Sequence, residues 1–170
     1  MTMKLLRQRP VAIVFIILLA GFVFRLAFAL TYLPLLGDER AHLIVANKLS
    51  FAPTSFYLPM ENVLQNHLIL TDIPVKLGID IFGHNVLGVR IFFVIIGSIN
   101  LFLIFHLFKE HSRATGIFAL TLLAFNQFHI GHSGIAANAV IILLLSTLSI
   151  LLFWQGINKN RVLLWFLGPI

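Results

Sequence analysis

Asp38 and Glu39 stand side by side just after an apolar run, with Arg40 and His42 close behind them. Carboxylates, a guanidinium and an imidazole in one short stretch are suited to acid–base chemistry, with a carboxylate taking a proton from an acceptor. Asp38 also has a plainer role open to it. An Asp at a helix start satisfies orphan amides and favours the helix dipole, although capping alone leaves the crowding of Glu39 and Arg40 unexplained. Three cations further on could hold a phosphate: His67, Lys76 and Arg90. For Arg90, at the head of an apolar run, the alternatives are snorkelling to lipid headgroups and gripping a phosphate with its planar fork. For His67 the alternative is a hydrogen-bonded interfacial residue. Arg25 lies inside the first apolar run, where a charge is costly and faces a cavity or a partner. His129, His132 and Asn138 gather near a later turn as candidate acceptor or second-loop contacts. Their spacing matches no zinc pattern, and no metal triad is expected. Asn126 and Gln127 are candidates for hydrogen bonds between helices.

The chain that must position these groups has 170 residues, 59% of them hydrophobic and 11% charged, with mean hydropathy +1.00. Soluble proteins average roughly 45–50% apolar and 25% charged, and a soluble domain of this length cannot bury the excess. Lipid is the solvent, and the expected class is an all-α integral membrane protein forming one membrane domain over residues 1–170. Cysteine is absent, which excludes disulfides, thiol nucleophiles and thiolate metal sites. The net charge of +6 comes from scattered basic residues, most of them flanking apolar runs. That is a topology and lipid-headgroup signal and not a nucleic-acid surface.

Transmembrane helices are expected over residues 11–30, 91–108, 114–130 and 135–154, with a partial fifth over 162–170. The first run is too long for the apolar region of a signal peptide, so an uncleaved anchor is expected. Lys4, Arg7, Arg9, Lys109, Arg113, Lys159 and Arg161 put the N-terminus, the 109–113 turn and the 155–161 link in the cytoplasm. The outer loop 31–90 and a turn at 129–134 then face outwards. Within that loop, one short helix opens at Gly37 with Ala41, Ile44, Val45 and Leu49 at helical spacing. A second begins with Asp72 as its N-cap and ends at Gly83. In the second, Ile73, Leu77 and Ile81 form an apolar row and Asp72, Lys76 and Asp80 a polar one. Helices this short cannot cross a bilayer of about 30 Å, so two interfacial amphipathic helices are expected.

Three stretches carry a likeness: Gly37-Asp38-Glu39, the run from Gly78 to Arg90, and His129-Ile130-Gly131-His132-Ser133. In order and placement they resemble the N-terminal part of the GT-C glycosyltransferases, in the protein mannosyltransferase and aminoarabinose transferase branch. The resemblance implies transfer of a sugar from a polyprenyl-phosphate carrier to an acceptor on the outer side of the membrane. It makes Asp38 the residue that activates or orients the acceptor, and puts His67 near the basic residue that approaches the donor phosphate. Two departures stand out. The box around His67 reads His67-Leu68-Ile69 without its prolines, and Asn138 stands where an acidic residue is often found. The resemblance also implies that the chain is the N-terminal part of a larger protein.

The function expected is therefore that of a membrane glycosyltransferase, or a fragment of one, with Asp38 and Glu39 as catalytic candidates. Its expected partners are a polyprenyl-phosphate sugar and membrane lipids, in the cell membrane, with no nucleic acid. No cofactor is required, although the site leaves room for a divalent cation near Asp38. The alternative is a non-catalytic membrane module that binds a lipid-linked sugar or a partner subunit. A transporter fits less well, because no internal repeat is present.

Overall fold

The computed structural model describes residues 2–32, 34–49 and 69–159. His67 and the partial fifth span lie outside them. The described residues form helices and no strands: α1 Thr2–Thr31, α2 Gly37–Lys48, α3 Ile69–Phe82, α4 Val86–Phe108, α5 Arg113–Ala124, α6 Gln127–Ser133 and α7 Asn138–Lys159. The all-α membrane class expected from composition is the class observed.

Val11–Thr31, Val86–Phe108 and Asn138–Asn158 are long and apolar enough to cross a membrane. Large side chains such as Phe15, Ile16, Leu19 and Val23 point outwards from α1, and only 11% of its most apolar window is buried. An outside that greasy requires lipid. The third expected crossing is not the continuous helix expected over 114–130. It breaks between α5 and α6, which meet at 64°. Asn126 causes the break: its side chain accepts from the His129 amide at 2.9 Å and starts a new helix. Asn126 therefore caps α6, and the stretch expected as an outer turn at 129–134 is largely helical. α4 likewise starts five residues before the expected boundary, because Asn85 caps it through Gly88 N at 2.8 Å. Arg90 is thus one turn inside the helix.

α4 is the central element, packed against α1, α3, α5 and α7. One core cluster joins Ala46 of α2, Val75 and Ile79 of α3, Val89 and Phe93 of α4, and Ala136 and Val140 near the start of α7. Another joins Leu101, Leu120 and Ala124. α3 and α4 approach so closely that a Cβ on Gly78 would collide with the Gly88 carbonyl. Gly83 ends α3 as expected, at φ +85 with its amide on Ile79 O, a left-handed termination that suits glycine.

Two details of α3 differ from expectation. The helix starts at Ile69, so Asp72 lies within its first turn and is not its cap. Its core face is Thr71, Val75 and Ile79, whereas Ile73 and Leu77 are half-buried and Ile81 is exposed. Lys76 and Asp80 pair on the outside at 2.6 Å. Asp72 does not join them and turns inwards.

Candidate active site

Glu39 is the anchor of the region around Asp38. It occupies the first turn of α2, and its Oε2 accepts from the Leu36 amide at 2.9 Å. Glu39, and not Asp38, therefore caps this helix. Arg90 of α4 grips the same carboxylate with both arms of its fork, Nε to Oε1 at 2.7 Å and Nη2 to Oε2 at 2.7 Å. Oε1 also accepts from the Ala136 amide at 3.0 Å. Arg90 Nη1 donates to Ala29 O at 2.8 Å, so one ion pair ties together α1, α2, α4 and the segment leading into α7. Both partners are buried. Burial by itself would push the Glu39 carboxyl up. The hydrogen bonds from Arg90, Ala136 and Leu36, with the Arg90 charge, more than offset that and hold it below its ordinary value. An arginine so engaged presents no open face to a donor phosphate, because its fork is already filled.

Asp38, the residue before Glu39, is exposed and makes no cap hydrogen bond. It lines a cleft of about 360 Å³ together with Leu36, Glu39, His42, Ala136 and Asn138. Asn138 starts α7 and receives a short hydrogen bond from the Thr71 hydroxyl. His42 pairs across to Asp72, Nδ1 to Oδ1 at 2.7 Å, with both side chains buried. The cleft thus collects an accessible carboxylate, an imidazole backed by a carboxylate, and a carboxamide. A wider, mostly apolar groove of about 430 Å³ adjoins it through Leu36 and Ile135, and is lined by Phe28, Tyr32, Phe128 and His132. Phe28 and Tyr32 stack at 4.4 Å.

His129, His132 and Asn138 do not form one site. Asn138 is in the Asp38 cleft, whereas His132, exposed on the groove, and His129, which is buried, both line another pocket of about 230 Å³ with Asn126, Phe128 and Ser133, and His129 also belongs to a buried network. There Arg25 Nη2 lies 2.6 Å from His129 Nδ1, and Asn100 Nδ2 lies 3.2 Å from His129 Nε2. Arg25 also donates to Ala124 O and Leu123 O, each at 3.2 Å. Those carbonyls sit where α5 stops, so the charge within the first span replaces helix hydrogen bonds lost at the break. That gives Arg25 a structural task. Lys76, paired with Asp80 on the outside of α3, does not line the cleft.

The pairings of His42 with Asp72 and of Thr71 with Asn138 were not foreseen from the sequence. One signal was available: Thr71 and Asp72 extend the Val75–Ile79 row by one helical turn, so they belong to the packed face.

No curated protein and no solved structure matches the chain. A family model does, that of the dolichyl-phosphate-mannose-protein mannosyltransferases, over residues 66–169. The match takes in Asp72, Arg90, His129 and Asn138 and begins beyond α2, so Asp38, Glu39 and His42 lie ahead of it. With that match over more than half its length, and with its apolar helices, this multi-pass membrane protein belongs to the dolichyl-phosphate-mannose-protein mannosyltransferase family, a family of membrane glycosyltransferases.

Proposed function

We propose that the protein transfers a sugar from a polyprenyl-phosphate donor to an acceptor on the outer face of the cell membrane, with Asp38 as the base. The observation that carries this reading is the contrast between neighbouring carboxylates. Glu39 is consumed by the Arg90 clamp, while Asp38 is exposed in a cleft. Glu39 and Arg90 then position α2 and do not touch the reacting atoms.

The reaction is a direct displacement. The acceptor oxygen forms a bond to the anomeric carbon and loses its proton to Asp38. The bond from that carbon to the phosphate oxygen breaks, and the polyprenyl phosphate leaves with the electron pair. Because phosphate is a good leaving group, the chemistry needs a base and positive charge and no separate acid. His67 is the cation assigned to the donor phosphate in this proposal, since Arg90 is filled by Glu39 and Lys76 pairs with Asp80 away from the cleft. The apolar groove sharing Leu36 and Ile135 with the cleft suits the first units of the prenyl chain. The test is to follow labelled sugar from such a donor to an added hydroxyl-bearing acceptor, with the protein as the only added catalyst.

The orientation assigned to the chain has its own test. The chain has no cysteine, so His84→Cys in the α3–α4 link and Ser112→Cys in the α4–α5 turn can each carry a single thiol. An impermeant reagent on intact cells is expected to label position 84 and spare position 112, as the basic residues flanking α5 require. Labelling at 112 and not 84 reverses the topology and moves the cleft to the cytoplasmic side.

A further inference from the structure

Three polar side chains of the Asp38 cleft are already engaged or can only accept. Glu39 is filled by Arg90, and His42 is paired with Asp72. Asp38, once ionised, has no proton to give. Asn138 on the opposite wall differs from them. An amide oxygen cannot donate, so the hydroxyl of buried Thr71 donates to Asn138 Oδ1 and turns that end of the carboxamide towards α3. The NH₂ end keeps two N–H donors, and among the described residues no group accepts from them. Asn138 is half-buried, and its neighbours Ala136 and Ala137 carry no long side chain into the space beside it. Charge decides what those donors can meet. The Asp38 carboxylate in the same cleft repels an anion, so a phosphate is disfavoured there. A neutral group with oxygen lone pairs fits, and a sugar hydroxyl is one. An ammonium group has no lone pair and would set N–H against N–H.

We propose that Asn138, held by Thr71, is the residue that reads the transferred sugar. Its Nδ2 donates to a hydroxyl oxygen of that sugar while the ring lies in the Asp38 cleft. The inference rests on the glycosyltransferase reading above and adds a specificity to it. At the sugar position that Asn138 contacts, a hydroxyl is preferred to an amino group. Asn138 forms no bond to the sugar and moves no proton. Thr71 is a positioning residue that acts through Asn138 by fixing which end of the carboxamide faces the cleft.

The test measures donor KM, acceptor KM and kcat in membranes holding the full-length protein. The donors are polyprenyl-phosphate-mannose, its monodeoxy analogues and polyprenyl-phosphate-aminoarabinose. The unaltered protein should prefer mannose, and one monodeoxy donor should show a KM about tenfold higher, the upper scale of one neutral hydrogen bond. Asn138→Ala should raise the KM of the mannose donor to the same extent and no longer distinguish that deoxy donor from its parent. Its kcat and acceptor KM should stay close to those of the unaltered protein, as for a contact made equally in ground and transition states. Asn138→Asp keeps an acceptor for Thr71 but puts an anionic oxygen where the NH₂ was. It should shift the preference towards aminoarabinose by about 10–100-fold, the scale of a hydrogen bond to a charged group. Thr71→Val should give a smaller rise in donor KM, because the carboxamide is then free to turn. An unchanged donor KM in Asn138→Ala overturns the proposal. So does a rise confined to the acceptor KM, a preference for aminoarabinose in the unaltered protein, or an unmoved preference in Asn138→Asp. Should neither Asn138 variant fold, the deoxy series on the unaltered protein decides, and equal KM values throughout overturn the proposal. If the unaltered protein transfers from no donor, the glycosyltransferase reading falls and this inference falls with it. If it is active and Asp38→Asn is not, an unaffected Asn138→Ala removes the Asn138 contact alone.

Discussion

Asp38→Asn is expected to remove nearly all sugar transfer while leaving the protein folded and in the membrane. The N-cap of α2 is Leu36, and its amide is held by Glu39, so Asp38 has no cap bond to lose. What remains is its favourable place at a helix N-terminus, worth about 0.3–1 kcal/mol. Asparagine keeps the shape of the side chain but cannot accept the acceptor's proton. Proton-transfer catalysis contributes typically about 10²–10⁴-fold, so turnover should fall on that scale while the melting temperature drops by a few degrees at most. Membrane level, thermal unfolding in detergent and transfer rate together decide the matter. Near-normal transfer by the asparagine variant would remove Asp38 from the chemistry.

Arg90→Ala is expected to fail in the opposite way, through the fold. It leaves the Glu39 carboxylate buried without its cation, and breaking such a pair costs about 3–5 kcal/mol. The double change Glu39→Leu with Arg90→Met should recover part of this, because no charge is then stranded. It cannot recover all, since the Leu36 and Ala136 amides lose their acceptor, and each unsatisfied buried donor costs about 1–3 kcal/mol. The pair also predicts a pH dependence. The Glu39 carboxyl is held below its ordinary 4.5 in the folded protein, so its contribution is fully present above that value. It is lost as the pH falls below 4.5 and through the lower folded-state value. Thermal unfolding of the unaltered protein should therefore weaken on acidification in that window. Arg90→Ala, lacking the clamp, should show less of that dependence. An Arg90→Ala variant that melts with the unaltered protein contradicts this account.

The gross architecture was legible because lipid imposes it. Apolar runs long enough to span a bilayer are visible in the sequence, and three of them are long helices in the structure. The turn at 109–113 was legible from its run of polar and basic residues, and the stop at Gly83 from a glycine's ease in the left-handed region. The break in the third crossing was not. Asn126 within an apolar stretch reads equally as a contact between helices, and only the Arg25 side chain from another helix makes the break tolerable. At the site, Asp38 and Glu39 were singled out together, but adjacency could not divide their roles. That division depends on Arg90 reaching back across 51 residues. The inward turn of Asp72 was hidden for the same reason: its partner His42 lies 30 residues away, beyond the reach of any helical period.

The most direct measurement of the central claim follows the sugar itself. The full-length protein is placed in liposomes with a polyprenyl phosphate whose sugar is labelled, together with hydroxyl-bearing acceptors. The label's destination and the configuration at its anomeric carbon are then read. The account predicts that label leaves the lipid for an acceptor hydroxyl with the anomeric configuration inverted, as a single displacement requires, and that Asp38→Asn stops it. A donor that binds but stays intact with every acceptor would contradict the account and make the protein a module that holds a lipid-linked sugar. Transfer with retention of configuration would contradict the single displacement.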